Sequence, residues 1–266
     1  MGDLKRQLTR ELQQDLNVKL LKTLTWSLPV HSIEIAYQTV KRTKMDILMK
    51  MMLIAFQKGA IETAEELSEL LLVDALFIND LISLMTRTKI IEKKGSTFGL
   101  TEKGVQQLAT GIFVHEPESA TTKALFSACH QNFLQGELKS DPSEALEVYR
   151  WKDEFNDWEI DSLEDSLLRN ALRSMNVESD ESNAQIVVSD IISAIAEQTV
   201  HIPCLEFQLY NKSEDLFYVR VWNTLLQRWD ETLETQLNDK ERKQWREEYL
   251  EKYDKEMKGT GSEKIT

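Results

Sequence analysis

The sequence predicts an α+β protein in two parts. The first is a module of three helices and a hairpin. The second is a mixed domain with a mainly antiparallel sheet and a long C-terminal helix. Three observations carry this. Residues 44–108 read helix, helix, helix, hairpin, and close on Leu100-Thr101-Glu102-Lys103-Gly104. Leu205–Tyr210 and Leu216–Trp222 alternate apolar and polar residues around a polar loop, as a hairpin with one buried and one wet face does. From Asp230 to about Met257, Glu, Lys and Arg recur at i,i+4 spacing, which supports a long charged helix.

The elements follow in chain order. Leu4, Leu8, Leu12, Leu16 and Leu20 recur near helical spacing and predict an amphipathic helix over about 3–24. Its other side carries Arg6, Arg10, Lys19 and Lys22, so it packs on the three-helix module or on a second subunit, or serves as a phosphate-contacting arm. Leu28 to Tyr37 alternates like a strand. In Met45–Gln57 only Asp46, Lys50 and Gln57 are polar, and they share one stripe, so the rest of that helix can be buried. Thr63-Ala64-Glu65-Glu66 is a capping box opening a second helix to about Leu72. Asp74 caps a third, whose Phe77, Ile78, Leu81, Ile82, Leu84 and Met85 form an apolar side. Ile90–Lys93 and Thr97–Leu100 read as strands turning at Lys94-Gly95-Ser96, and Thr101 caps a fourth helix.

This arrangement resembles the MarR/PadR-like winged helix-turn-helix superfamily of bacterial regulators, over roughly a quarter of the chain. The resemblance implies that the third helix enters the major groove and that the hairpin is a wing touching backbone. Carried over by position, it names Asn79, Ser83 and Arg87 on the third helix, Lys93 and Lys94 on the wing, and Arg42 and Lys44 before the module as nucleic-acid-binding candidates. The third helix otherwise departs from what duplex binding requires. Asp74 and Asp80 would face phosphate, and no Lys or Arg precedes Arg87. The other reading of the same module is a protein-docking or self-association unit.

Net charge is −13, and it is unevenly placed. Residues 1–112 carry 15 Lys+Arg and 13 Asp+Glu, and the remainder carries 17 and 32, giving +2 and −15. The acidic half repels nucleic acid and anionic membrane, and serves solubility or meets a basic partner. No apolar run reaches membrane-span length, the N-terminus lacks a secretory pattern, and Arg6 spoils the myristoylation motif begun by Met1-Gly2. Two cysteines make no disulfide framework. A cytoplasmic protein is expected. The domains expected are 1–112, a linker at 113–123, an acidic α+β domain at 124–258 and a disordered tail at 259–266. Within the second domain, Ala124–Phe133 and Glu147–Trp151 read as strands, Ser162–Met175 as a helix and Ile186–Val188 as extended.

Chemistry-bearing patterns are few. Cys129-His130 and His201-Ile202-Pro203-Cys204 suggest a Cys2His2 zinc site only if their segments adjoin, and the spacing suits two buried structural cysteines better. Trp151–Asp161 is dense in carboxylates and reads as an acidic loop, with Trp151, Phe155 and Trp158 as core rings or as interface anchors. Glu206-Phe207-Gln208 is similar to a nuclease acidic-x-Lys pair with Gln replacing Lys, and reads more simply as two wet-face residues of a strand. Gly259–Lys264 has no following helix to cradle phosphate, and no hydrolase, zincin or dinucleotide motif occurs. No catalytic residue, metal or cofactor is therefore assigned. The function expected is a non-enzymatic accessory protein acting by protein–protein assembly, in a DNA-linked bacterial complex. The alternative is a DNA-binding regulator with a C-terminal sensing or dimerisation domain.

Overall fold

The computed structural model describes residues 1–138, 146–155, 157–181 and 183–260, with side chains from 252 to 260 excepted. The chain is mixed α+β. Helix α1 (Gly2–Leu12) is followed by a long strand, β1 (Val18–Lys44). Helices α2 (Ile47–Lys58), α3 (Ala64–Leu71) and α4 (Ala75–Arg87) lead to the hairpin β2 (Ile91–Lys94) and β3 (Thr97–Leu100), then α5 (Glu102–Thr110). Next come β4 (Ile112–Val114), β5 (Glu118–Ser127), β6 (Asn132–Leu134) and α6 (Asp165–Ser174). The chain ends through β7 (Ser179–Glu181), β8 (Ala184–Asn211), β9 (Leu216–Asn223), β10 (Arg228–Trp229) and α7 (Glu231–Thr260). The main sheet runs β10-β9-β8-β1-β5-β6, with β4 beside β1 and β7 beside β8.

Two compact units emerge, and both are discontinuous. The first holds Met1–Glu34, Lys123–Leu167 and Ile195–Thr266, and the second holds Ile35–Thr122 and Leu168–Ala194. The division therefore does not follow the expected 1–112 and 124–258. The segment 113–123 is no linker, because β4 pairs antiparallel with the end of β1 and β5 begins at Glu118. Of the expected disordered tail, 261–266 lies outside the described residues, and Gly259 and Thr260 belong to α7.

In the first unit the expected N-terminal helix stops early. Asp15 turns the chain by accepting from the Asn17 amide at 2.9 Å, and Lys212 N–H then bonds the Asn17 carbonyl at 2.9 Å. Strand pairing from Val18 onward overrides the leucine spacing, because a ladder partner outweighs a weak local preference. Leu16 is left 92% exposed as a result. Leu8 of α1 packs on Leu205, Phe207 and Leu209 of β8. On the α7 side, Leu233, Leu237 and Trp245 pack with Val219, Val221 and Cys204. Residues 204–209 of β8 are therefore buried throughout, and the expectation of one wet face fails there. Glu147–Trp151 forms only an isolated parallel bridge, Val148 to Ser27.

In the second unit the local signals act as read. Thr63 accepts from the Glu66 amide, Asp74 from Leu76 and Thr101 from Gly104, each opening its helix. Glu66 completes only part of a capping box, since its carboxylate takes the Glu62 amide. Met49, Met52, Leu53 and Phe56 of α2 meet Leu67, Ile78, Ile82 and Met85 in one core. A β-carbon on Gly104 would lie 2.1 Å from the Ile90 carbonyl oxygen, so the glycine lets α5 sit against the residue that leads into β2. Two expectations fail at the surface. Ile47, Met51 and Ile54 of α2 are exposed, and so is Phe77 of α4, because this core takes only one side of each helix.

Candidate functional site

The seven residues named from sequence all lie in the second unit and are all exposed. Asn79, Ser83 and Arg87 stand at i, i+4 and i+8 on one face of α4. Arg87 is already engaged, its Nε 2.9 Å from Glu116. On the hairpin, Lys94 Nζ lies 3.1 Å from Glu92, and Lys93 Nζ stands 5.4 Å over the Phe98 ring. Arg42 and Lys44 sit at the end of β1, opposite Val114 and Ile112 of β4.

The corner between α3 and α4 carries exposed apolar side chains. Leu70 is 62% exposed, Leu72 91%, Leu76 75% and Phe77 52%. Around them Glu65, Glu66, Glu69, Asp74 and Asp80 are exposed. From Gly59 to Thr86 these five and Glu62 make six carboxylates, with no Lys or Arg. Leu72 has φ 53° and ψ 43°, the left-handed region that L residues with a β-carbon disfavour. Ser68 holds that turn by donating to the Val73 carbonyl at 2.7 Å.

The first unit holds two buried polar networks that spacing alone does not reveal. Glu206 is fully buried, contrary to the wet-face expectation. It accepts from Trp26 Nε1 at 2.7 Å, Arg150 Nη1 at 2.9 Å and Gln208 Nε2 at 2.8 Å. Arg150 also binds Glu241 of α7 through Nε and through Nη2 at 2.6 Å, and Trp151 Nε1 donates to Glu241 at 2.5 Å. Burial works against the charge on Arg150, but Glu241 and Glu206 hold the guanidinium above its ordinary value. Every partner is internal, so the group is a structural ion network rather than an open metal or acid–base site. Trp151 and Phe155, half-buried, pack against the adjoining core, and Trp158, also half-buried, packs on His31 and Phe126.

The second network has the members of a hydrolytic triad. Ser127 Oγ lies 2.7 Å from His130 Nδ1, and His130 Nε2 lies 3.0 Å from both Asp230 oxygens. Ser127 has no exposed surface, so no substrate carbonyl reaches its oxygen. Asp230 also accepts from Asn223 Nδ2 at 2.8 Å and from the Leu233 amide at the start of α7. Burial disfavours its charge, yet the His130 bond and these donors hold its carboxyl below the usual value.

The two cysteines and their neighbouring histidines are each engaged within the fold. Cys129 is buried and its thiol is pushed up to about 12 by that burial, and burial likewise raises the Cys204 thiol well above its ordinary value. Both His130 nitrogens are committed to Ser127 and Asp230, and His201 Nδ1 meets Ser27 Oγ at 3.2 Å. Cys129, His130, His201 and Cys204 therefore do not converge on one point. Among the described residues no group of three or more His, Cys, Asp or Glu is placed to hold a metal. No described helix is long and apolar enough to cross a membrane. No protein-family model, characterised protein or solved structure matches the chain.

Proposed function

We propose that residues 44–108 form a winged helix-turn-helix of the MarR/PadR-like kind, used to dock protein rather than to hold duplex DNA. The chain is then a non-enzymatic accessory protein, cytoplasmic and assembling within a DNA-linked bacterial complex. The order of α2, α3, α4, the β2–β3 hairpin and α5 supports the fold reading. One observation carries the functional reading. The helix in the groove-entering position begins with exposed Leu76 and Phe77 among carboxylates, and its single arginine is paired with Glu116. Phosphate neutralisation supplies most non-specific DNA affinity, and this helix provides almost none.

A DNA-binding regulator is the second reading, favoured by Asn79, Ser83 and Arg87 sharing one exposed face. Fluorescence anisotropy of labelled random duplex separates the two. The docking reading expects no binding at low or near-physiological salt. Binding that falls steeply with salt and is lost in Lys93→Glu/Lys94→Glu would overturn it and install the regulator.

A further inference from the structure

We propose that the α3–α4 corner, Leu70 to Phe77, is the seat of a basic amphipathic helix from a partner protein. This rests on the docking reading and names the partner's chemistry. Leu70, Leu72, Leu76 and Phe77 lie within eight residues and all face solvent, while Leu67, Ile78 and Ile82 of the same helices fill the core. The module has thus spent its core positions, and the corner is a second apolar surface.

Leu72 is the independent observation. It accepts a left-handed backbone usually given to Gly or Asn, and gains no packing for it at 91% exposure. The turn is fixed, because Val73 N–H bonds the Ser68 carbonyl, Ser68 Oγ bonds the Val73 carbonyl and Asp74 caps α4. Leu72 is therefore held outward in advance of any contact. Strained, pre-set side chains of this kind cluster at binding sites.

Charge selects the occupant. A second copy meeting this corner about a two-fold axis would bring the same carboxylates against these, and nucleic acid or an anionic lipid surface would bring phosphate. A helix with apolar residues at i, i+3 or i+4 and i+7, flanked by Lys and Arg, fits both the leucines and the acids. Its association weakens with salt while its apolar anchors set residence time.

The test uses the full chain as bait for a displayed library of random peptides of about 16 residues, roughly four helical turns. Selected peptides should be enriched in Lys and Arg and carry apolar residues at helical spacing. Leu72→Asp and Phe77→Asp alter exposed side chains, so both variants keep the parent circular dichroism and a cooperative melt whose midpoint falls no more than about 4 °C below the parent's. Each should weaken a selected peptide about tenfold or more, as loss of a central anchor does. Failure to select any peptide, or peptides indifferent to both variants, overturns the proposal. Peptides that need Leu72 and Phe77 but lack excess cations overturn the basic partner and leave the docking reading standing. Duplex DNA that competes the peptides away sinks both. A dimer in sedimentation that Phe77→Asp dissolves makes a second copy the occupant and overturns the proposal.

Discussion

The buried ion network of the first unit and the exposed apolar corner of the second both invert the usual distribution of side chains. Glu206 carries charge inside, and Leu72 carries hydrocarbon outside. The difference between them lies in where the compensation comes from. Glu206 has Trp26, Arg150 and Gln208 around it, so folding explains it. Leu72 and Leu76 have no such internal account. An inversion satisfied within the fold serves the fold, and a cluster of exposed apolar residues left unsatisfied points outward.

The largest loss is expected at Arg150. Arg150→Met strands Glu206 and Glu241 in the core, and the expected loss is about 3 kcal/mol, the low end of the cost of orphaning a buried charge, because the guanidinium is one-third exposed. Urea unfolding measures it, and a loss under about 1 kcal/mol would mean the network is not what secures α7. Within the second unit, Gly104→Ala drives a methyl into the Ile90 carbonyl, and unfolding should move by about 1–3 kcal/mol, as overpacking does. An unchanged midpoint would show that α5 can shift away from the hairpin.

Asp230→Asn is a milder break of about 1–2 kcal/mol near neutral pH, because the amide oxygen still caps α7 but the carboxylate's bond to His130 is lost and an NH2 group faces the Asn223 amide. Its folded carboxyl lies below the unfolded value, so its stabilisation is present above the ordinary aspartate range. That stabilisation disappears as pH falls through the lowered folded value. The variant should therefore lose less stability than the parent on acidification, and parallel acid profiles would contradict this. The smallest effect sharpens the contrast. Leu72→Gly relieves a left-handed leucine while loosening the unfolded chain, for a net gain of about 0.5–1 kcal/mol. A gain in stability together with lost peptide binding would mark Leu72 as held for function at the expense of the fold.

Legibility differed between the units for a physical reason. Thr63, Asp74 and Thr101 were readable as caps because capping is local, acting over two or three residues. Gly104 was readable as part of a motif, although its close approach to Ile90 is a tertiary fact. The leucines of 16–24 misled because helical spacing there competes with a strand partner nearly two hundred residues away. The wet-face reading of Glu206 and Gln208 failed for the same reason. Alternation reports two different faces, and whether α1 and α7 cover both is decided by packing.

For the candidate surface, the sequence alone determined the charge, with six carboxylates and no cation from Gly59 to Thr86, and the order of helices and hairpin. It also determined that Asn79, Ser83 and Arg87 share a helical face, since a helix fixes i, i+4 and i+8. Only the tertiary structure decided that Phe77 points out, that Arg87 is spent on Glu116, and that Ser127, His130 and Asp230 are sealed together. Burial and pairing depend on residues far apart in the chain, and periodicity carries no information about which side of a helix its neighbours occupy.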